Sequence, residues 1–299
     1  NAKGEVFFND VPNSKTYSFT YNGHGMGSKV TLPSGAYIRY EYTHVTSAVR
    51  DHVIKRWVSA DGTSGAEQLT QYDYTYDSQQ PTLLTQTIVT DPTGANTVHS
   101  FSGGLETVTN VRSATNVTLK RVDHGWVTGT NARVSIEKTT MDDVVRQTSY
   151  TYGDYNNVTR QEDYEWGPGA AGSRYRYVDR TYVGSSYISE HVLDRVLTET
   201  VYDNAGNGIA ATQYEYDNYT GDQALVSRSG TIPGWTSPSS SLRGNVTKAQ
   251  QWLDTSGGWP GLVTLKYYDV LGNVVKVKDP AGHDTTIDFT DNFTDTAKN

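Results

Sequence analysis

The chain has 299 residues, a net charge of −8 and no cysteine. Its acidic balance argues against nucleic acid as a partner, because phosphate binding needs a dense basic stripe, and the absence of thiols excludes disulfides, zinc-thiolate centres and cysteine nucleophiles together. Only 35% of the residues are hydrophobic, and Tyr, at 22, far outnumbers Phe and Trp at 6 each; a tyrosine buries its ring and still offers its hydroxyl to water, which suits thin, wetted sheets better than a thick globular core.

Taken in chain order, the predicted elements are short strands separated by turn residues. The first window opens at Tyr21, turns at Pro33 and closes at Tyr42. Within it Ile38, Tyr40 and Tyr42 alternate with Arg39 and Glu41, the period-two pattern of a half-buried strand. Residues 43–70 read as further strands. A second window runs from Tyr76 through Pro92 to Phe101, followed by strands over Thr107–Arg112, Asn116–Val122 and Arg133–Lys138. The third runs from Tyr152 through Pro168 to Tyr177, and the fourth from Tyr268 through Pro280 to Phe289. Residues 230–243 read as a long loop rich in Ser, Pro and Gly, with a short helical turn near Ser237. No stretch shows a helical stripe of three turns, so the expected class is all-β: tandem antiparallel hairpins, with little or no helix, in a single array over residues 1–299.

In all four windows the closing aromatic follows the proline by nine positions, while the gap from Tyr to Pro is 12, 16, 16 and 12. A difference of four adds two residues to each arm of a hairpin and leaves the inside–outside alternation intact, whereas an odd insertion would invert one strand. Two turn chemistries recur. One is Pro-x-Gly, at Pro33–Gly35, Pro92–Gly94 and Pro280–Gly282; Pro presets the backbone and Gly frees it. Pro168 departs from it, standing in Gly167-Pro168-Gly169. The other follows the opening Tyr: Tyr268-Asp269-Val-Leu-Gly272-Asn273 and Tyr202-Asp203-Asn-Ala-Gly206-Asn207 are near-copies, and Gly25 occupies the matching place after Tyr21. A Gly-Asn pair after a short polar run reads as a hairpin loop.

With these motifs in view, the chain resembles the YD-repeat, or Rhs-repeat, family of bacterial surface and toxin-shell proteins. The resemblance rests on Tyr267-Tyr268-Asp269 through Asn273 with Asp279–Gly282, and on Tyr202-Asp203, Tyr214–Asp217, Tyr74–Asp77 and Leu242–Thr247. It implies hairpins winding side by side into a continuous, twisted or spiralling sheet that forms a hollow shell or a cell-exposed stalk, and hence an extracellular or cell-surface location. The family's self-cleaving signature ends in Asp-Pro-x-Gly-Leu; here His283 follows Gly282 and the surrounding signature is missing, so self-cleavage is not implied.

Candidate chemistry is sparse. Asp142/Asp143, Glu162/Asp163 and Asp288/Asp291 are the visible carboxylate clusters, and solvated turns or strand faces account for them more simply than a glycosidase pair does. The seven histidines (His24, His44, His52, His99, His124, His191 and His283) show no metal-ligand spacing. His24 stands in a Gly-rich run that continues into a strand and not a helix, so a turn is preferred to a phosphate loop. No Gly-x-Ser-x-Gly elbow occurs. The expectation is therefore no catalytic residue, no metal and no cofactor. Five Asn-x-Thr sequons, at Asn116, Asn157, Asn218, Asn245 and Asn292, would accept glycans in an extracellular protein, although Gly-Asn-Val-Thr is also ordinary turn-to-strand text. Trp126, Trp166, Trp235, Trp252 and Trp259 lie near glycine-rich turns and are read as packing residues before sugar platforms.

The first residue is Asn1 and no run approaches the roughly 18 apolar residues of a membrane helix, so the expectation is a segment of a longer chain without membrane insertion. Its function is then structural. The expected partners are further repeats of the parent chain or other copies of itself, the latter joined head-to-tail by strand addition into a filament. A glycan-binding adhesin using exposed aromatics is the third reading.

Overall fold

The computed structural model describes residues 8–10, 15–45, 50–227, 236, 240–252 and 261–289. Asn292, Trp235, Trp259, Asp291 and Ser237 lie outside the described residues. The chain is all-β. Its strands are β1 (Phe8–Asp10), β2 (Lys15–Tyr21), β3 (Gly27–Thr31), β4 (Tyr37–Val45), β5 (Arg50–Ser59), β6 (Gln68–Tyr76), β7 (Leu84–Thr90), β8 (Asn96–Ser102), β9 (Leu105–Arg112) and β10 (Thr118–Val127). They continue with β11 (Arg133–Met141), β12 (Val144–Tyr152), β13 (Val158–Tyr164), β14 (Gly167–Pro168), β15 (Arg174–Tyr182), β16 (Val196–Asp203), β17 (Gly208–Tyr216), β18 (Val246–Gln251), β19 (Leu262–Tyr268), β20 (Val274–Lys278) and β21 (Asp284–Thr286). The one α-helix among the described residues, α1 (Ser185–Ile188), is a single turn, far too short to cross a membrane.

The chain divides into two compact units: Asn1–Trp126 with Ile136–Arg146 and Trp166–Ala171, and Val127–Ser135 with Gln147–Glu165 and Gly172–Asn299. In the first, β1 to β10 pair in chain order, every pair antiparallel. In the second, β12, β13, β15, β16, β17, β18, β19, β20 and β21 form the same kind of antiparallel succession. The third window differs from its sequence reading. Pro168 opens no hairpin turn: it lies in the two-residue β14 and pairs with Val144. Tyr177 does not close a hairpin either, but sits in mid-strand opposite Glu162 and Tyr202. Without Pro-x-Gly spacing the local chain lacks the residues that close the loop used elsewhere.

The core is thin. Among the described residues the buried apolar side chains are Tyr37, Val98 and Val145 in the first unit, and Val178, Val183, Ala211, Tyr267 and Tyr268 in the second. Strand order rests instead on main-chain pairing and on cross-strand partners directly opposite one another. Arg160 faces Asp179 and bonds it twice, at 2.6 and 2.7 Å. Arg180 faces Glu199 at 2.8 Å. The Arg39 guanidinium lies 3.6 Å over the ring of Trp57 opposite, and Lys276 lies 3.7 Å over Tyr267. Long polar side chains thus cover apolar rings with their stems while keeping their charge wet.

Candidate functional site

The two turn chemistries of the sequence are one loop. At Asn22–Met26, Leu32–Ala36, Asp91–Ala95, Ser113–Val117, Asp203–Asn207, Asp269–Asn273 and Asp279–His283 the first N–H donates to the fifth carbonyl, and the fourth N–H returns to the first carbonyl. The fourth residue is left-handed in all seven: Gly25, Gly35, Gly94, Gly206, Gly272 and Gly282 have φ between 79° and 89°, and Asn116 has φ 62°. That is the three-residue hairpin connection, which needs glycine, or asparagine as substitute, at its left-handed place. The first residue accepts the loop's own amides. Asp269 Oδ1 takes the N–H groups of Leu271 and Asn273, Asp91 Oδ1 those of Thr93 and Ala95, and Asn22 Oδ1 those of His24 and Met26. This is why Asp follows Tyr in Tyr-Asp, and why Asp also precedes Pro92 and Pro280.

The aromatics mark breaks in strand register, most of them at the end of a strand. Register shifts fall immediately before Tyr21, Tyr42, Tyr76 and Phe101 in the first unit, and before Tyr152, Tyr182, Tyr216 and Tyr268 in the second. Such bulges twist a strand and re-aim a side chain. In the second unit the four re-aimed hydroxyls reach back to an earlier strand (β11, β13, β16 and β18), at the carbonyl of its first or second residue. Tyr152 donates to Val134 at 2.6 Å, Tyr182 to Val158 at 2.8 Å, Tyr216 to Val196 at 2.7 Å and Tyr268 to Val246 at 2.9 Å. β12, β15, β17 and β19 run in one direction, so these latches share one edge of the unit.

Three of these valines are also the bulge partners of the preceding tyrosines. Val158 pairs with Tyr152, Val196 with Tyr182 and Val246 with Tyr216. Each valine therefore joins three successive strands, through one register contact and one phenol hydrogen bond. The first unit repeats the device with variations. Tyr42 donates to Gly27 at 2.7 Å, Tyr74 to Val53 at 2.8 Å, and the Trp126 indole N–H to Glu106 at 2.7 Å; Tyr76 meets His52 Nε2 at 3.0 Å. Burial raises the hydroxyl pKa of all six latching tyrosines: Tyr42, Tyr74, Tyr152, Tyr182, Tyr216 and Tyr268. For Tyr216 it reaches about 12.

Several residues singled out in the sequence stand elsewhere. Tyr202 shares its loop with Tyr268, yet β16 runs opposite to β19, so Tyr202 sits at the other edge of the unit. It stacks on Tyr177 with centroids 4.6 Å apart and planes 10° from parallel. Phe289 follows β21 and is 44% exposed. Tyr216 and Val246 stand in the family-like runs Tyr214–Asp217 and Leu242–Thr247, whereas Tyr182, Val134, Val158 and Val196 were not singled out, because the separation between each tyrosine and its valine differs from pair to pair.

The carboxylates Glu162 and Asp163 are held by Arg174 at 2.6 Å and Arg176 at 2.8 Å. Burial opposes ionisation of Asp163, but Arg176, Gln161 and Thr148 outweigh it and hold the carboxyl below its usual range. Asp142 and Asp143 occupy a tight turn, both with positive φ. Three sequon amides are engaged: Asn157 Nδ2 donates to Leu193 at 2.6 Å, Asn218 to Glu215 at 2.6 Å and Asn245 to Tyr219 at 2.8 Å. Asn116 is exposed on its loop and accepts from Asn96. Trp166 is 43% exposed.

No family model and no curated protein matches the chain. Among solved structures it is similar to a porin-like protein from Bacteroides uniformis ATCC 8492, at 12% identity and TM-score 0.29 over 91% of this chain and 86% of that one. It is also similar to the Photorhabdus luminescens Tc holotoxin pore, at 13% identity and TM-score 0.26, and to TcdB2-TccC3, at 12% identity and TM-score 0.30. Each of these two likenesses covers 91% of this chain, which spans only 15% and 14% of those chains. At TM-scores of this size the likenesses carry no argument about fold or function.

Proposed function

We propose that the chain is a non-catalytic structural segment of an extracellular or cell-surface protein of the YD-repeat type, contributing a stretch of latched β-hairpins to a shell or stalk. The observation that carries this reading is the succession Tyr152, Val158, Tyr182, Val196, Tyr216, Val246, Tyr268 along one edge of the second unit. Such a device adds strands indefinitely without needing a thick core, as repeat arrays require. The Tyr-Asp loops explain the repeat's sequence in the same terms. Partners are then further repeats of a parent chain or other copies.

Self-assembly into filaments is the second reading, favoured by β21, whose three residues are all exposed and whose strand could accept another. Negative-stain microscopy of the purified chain separates the two. Discrete particles of uniform outline support the structural segment, and unbranched fibres that lengthen with concentration support the filament. Turnover of any substrate, abolished by a single substitution, would overturn the non-catalytic reading.

A further inference from the structure

Three residues that the sequence keeps apart meet in the first unit. His44 in β4 and Asp51 in β5 are directly opposed in register, and His24 is presented beside them by the loop between β2 and β3. His44 Nδ1 lies 2.7 Å from Asp51 Oδ1, and His24 Nδ1 lies 2.8 Å from Asp51 Oδ2. One donor atom from each residue falls within a common 4.8 Å span. The two imidazoles meet edge to face, with centroids 5.1 Å apart. The Asp51 side chain is only 6% exposed, whereas those of His24 and His44 are 60% and 43% exposed. A buried carboxylate is thus capped by two imidazoles that open to solvent. The loop is pre-set, because Asn22 Oδ1 accepts the amides of both His24 and Met26.

We propose that His24, His44 and Asp51 form a binding site for a divalent transition-metal ion of the zinc class, which pins the β2–β3 loop to the β4–β5 hairpin. Two imidazoles and one carboxylate are a donor set suited to Zn2+, with a fourth position left for water. Zinc–nitrogen and zinc–oxygen bonds of about 2.0–2.2 Å place tetrahedral donors roughly 3.3 Å apart. The imidazoles now contact different oxygens of Asp51, so they must draw back slightly from the carboxylate and close towards each other from within 4.8 Å, a movement that the exposed His24 loop supplies. On binding, Nδ1 of each imidazole takes the ion in place of its hydrogen bond to Asp51, and the ring carries its proton at Nε2.

The test is calorimetric titration of the chelator-treated, full-length chain with Zn2+ alone, with Co2+ absorption as the second readout. One ion per chain is expected, at a dissociation constant of about 10 µM or tighter, with a tetrahedral cobalt spectrum and a melting temperature raised by Zn2+. His24→Ala leaves the hairpins untouched because its side chain is in a loop, and should weaken binding by about tenfold or more; Asp51→Asn should do the same. His283→Ala, which alters the exposed pair of His283 with Asp279 at 3.1 Å, should leave binding unchanged. Absence of saturable binding, or binding that survives both His24→Ala and Asp51→Asn, would overturn the site.

Discussion

The hydroxyl of Tyr268 donates to the carbonyl of Val246 at 2.9 Å, while the backbone of Val246 is the register partner of Tyr216. One residue on β18 is thereby tied to both neighbouring strands, β17 and β19. The ring of Tyr268 is 6% exposed, so its hydroxyl cannot exchange that carbonyl for water without movement. Side chain and main chain are thus coupled at the place where the register would otherwise slip.

Tyr268→Phe keeps the ring and removes the donor. Leaving a carbonyl without this bond should cost about 1–2 kcal/mol in urea unfolding. Tyr202→Phe, at the opposite edge and stacked on Tyr177, should stay within about 0.5 kcal/mol. Equal effects from the two variants would mean that the latch contributes nothing special.

The loop glycines separate conformational from steric cost. A methyl at Gly282 meets no atom within 4 Å, but its φ is 88°, so Gly282→Ala should cost about 1–2 kcal/mol through backbone strain alone. At Gly62 the methyl would also lie 2.7 Å from the Gly35 carbonyl oxygen, so Gly62→Ala should cost more. Gly23 has neither obstacle, and Gly23→Ala should be neutral or stabilising by up to about 1 kcal/mol. The order of thermal midpoints checks this.

Acid should weaken the first unit in a defined window. Glu67 accepts from Arg39 at 2.6 and 2.7 Å and from the Tyr37 hydroxyl at 2.6 Å. Arg39 first, then Tyr37, lower its pKa from 4.5 to about 2. A depressed carboxylate stabilises the fold above the unfolded value and loses that contribution as pH falls through the folded one. Stability should therefore drop between about pH 4.5 and 2. Asp91, Asp203 and Asp279, lowered by hydrogen bonds within their own loops, should add to the slope. Glu67→Gln should be less stable at neutral pH and show a shallower acid slope in urea titrations at stepped pH.

Much of the fold was legible in the sequence because its determinants are local. Alternation set the strands, and Gly at a fixed offset from Asp or Pro set the loops, as at Asp279–His283. Tyr21, Tyr76, Tyr152 and Tyr268 each follow a register shift at the end of a strand, although Tyr21 is 41% exposed and Tyr268 only 6%. What stayed hidden depends on strand direction and on partners far along the chain. Nothing in Tyr202-Asp203 and Tyr268-Asp269 tells that one lies at each edge. The window through Pro168 matched in spacing but not in loop residues, and spacing alone misled. His24, His44 and Asp51 lack any local motif; only the register of β4 on β5 brings the last two together.

The ionisation of the tyrosines tests the latched-hairpin account most directly. The six latching hydroxyls are raised by burial from 10.0, that of Tyr216 to about 12. A raised pKa stabilises the fold below the unfolded value and loses that contribution as pH climbs through the folded one. Phenolate absorbance followed together with circular dichroism should show the latching tyrosines ionising above their usual range, Tyr216 at about pH 12, with the β-signal collapsing as they do. A single ionisation of all tyrosines near pH 10.0, with the sheet preserved, would contradict it.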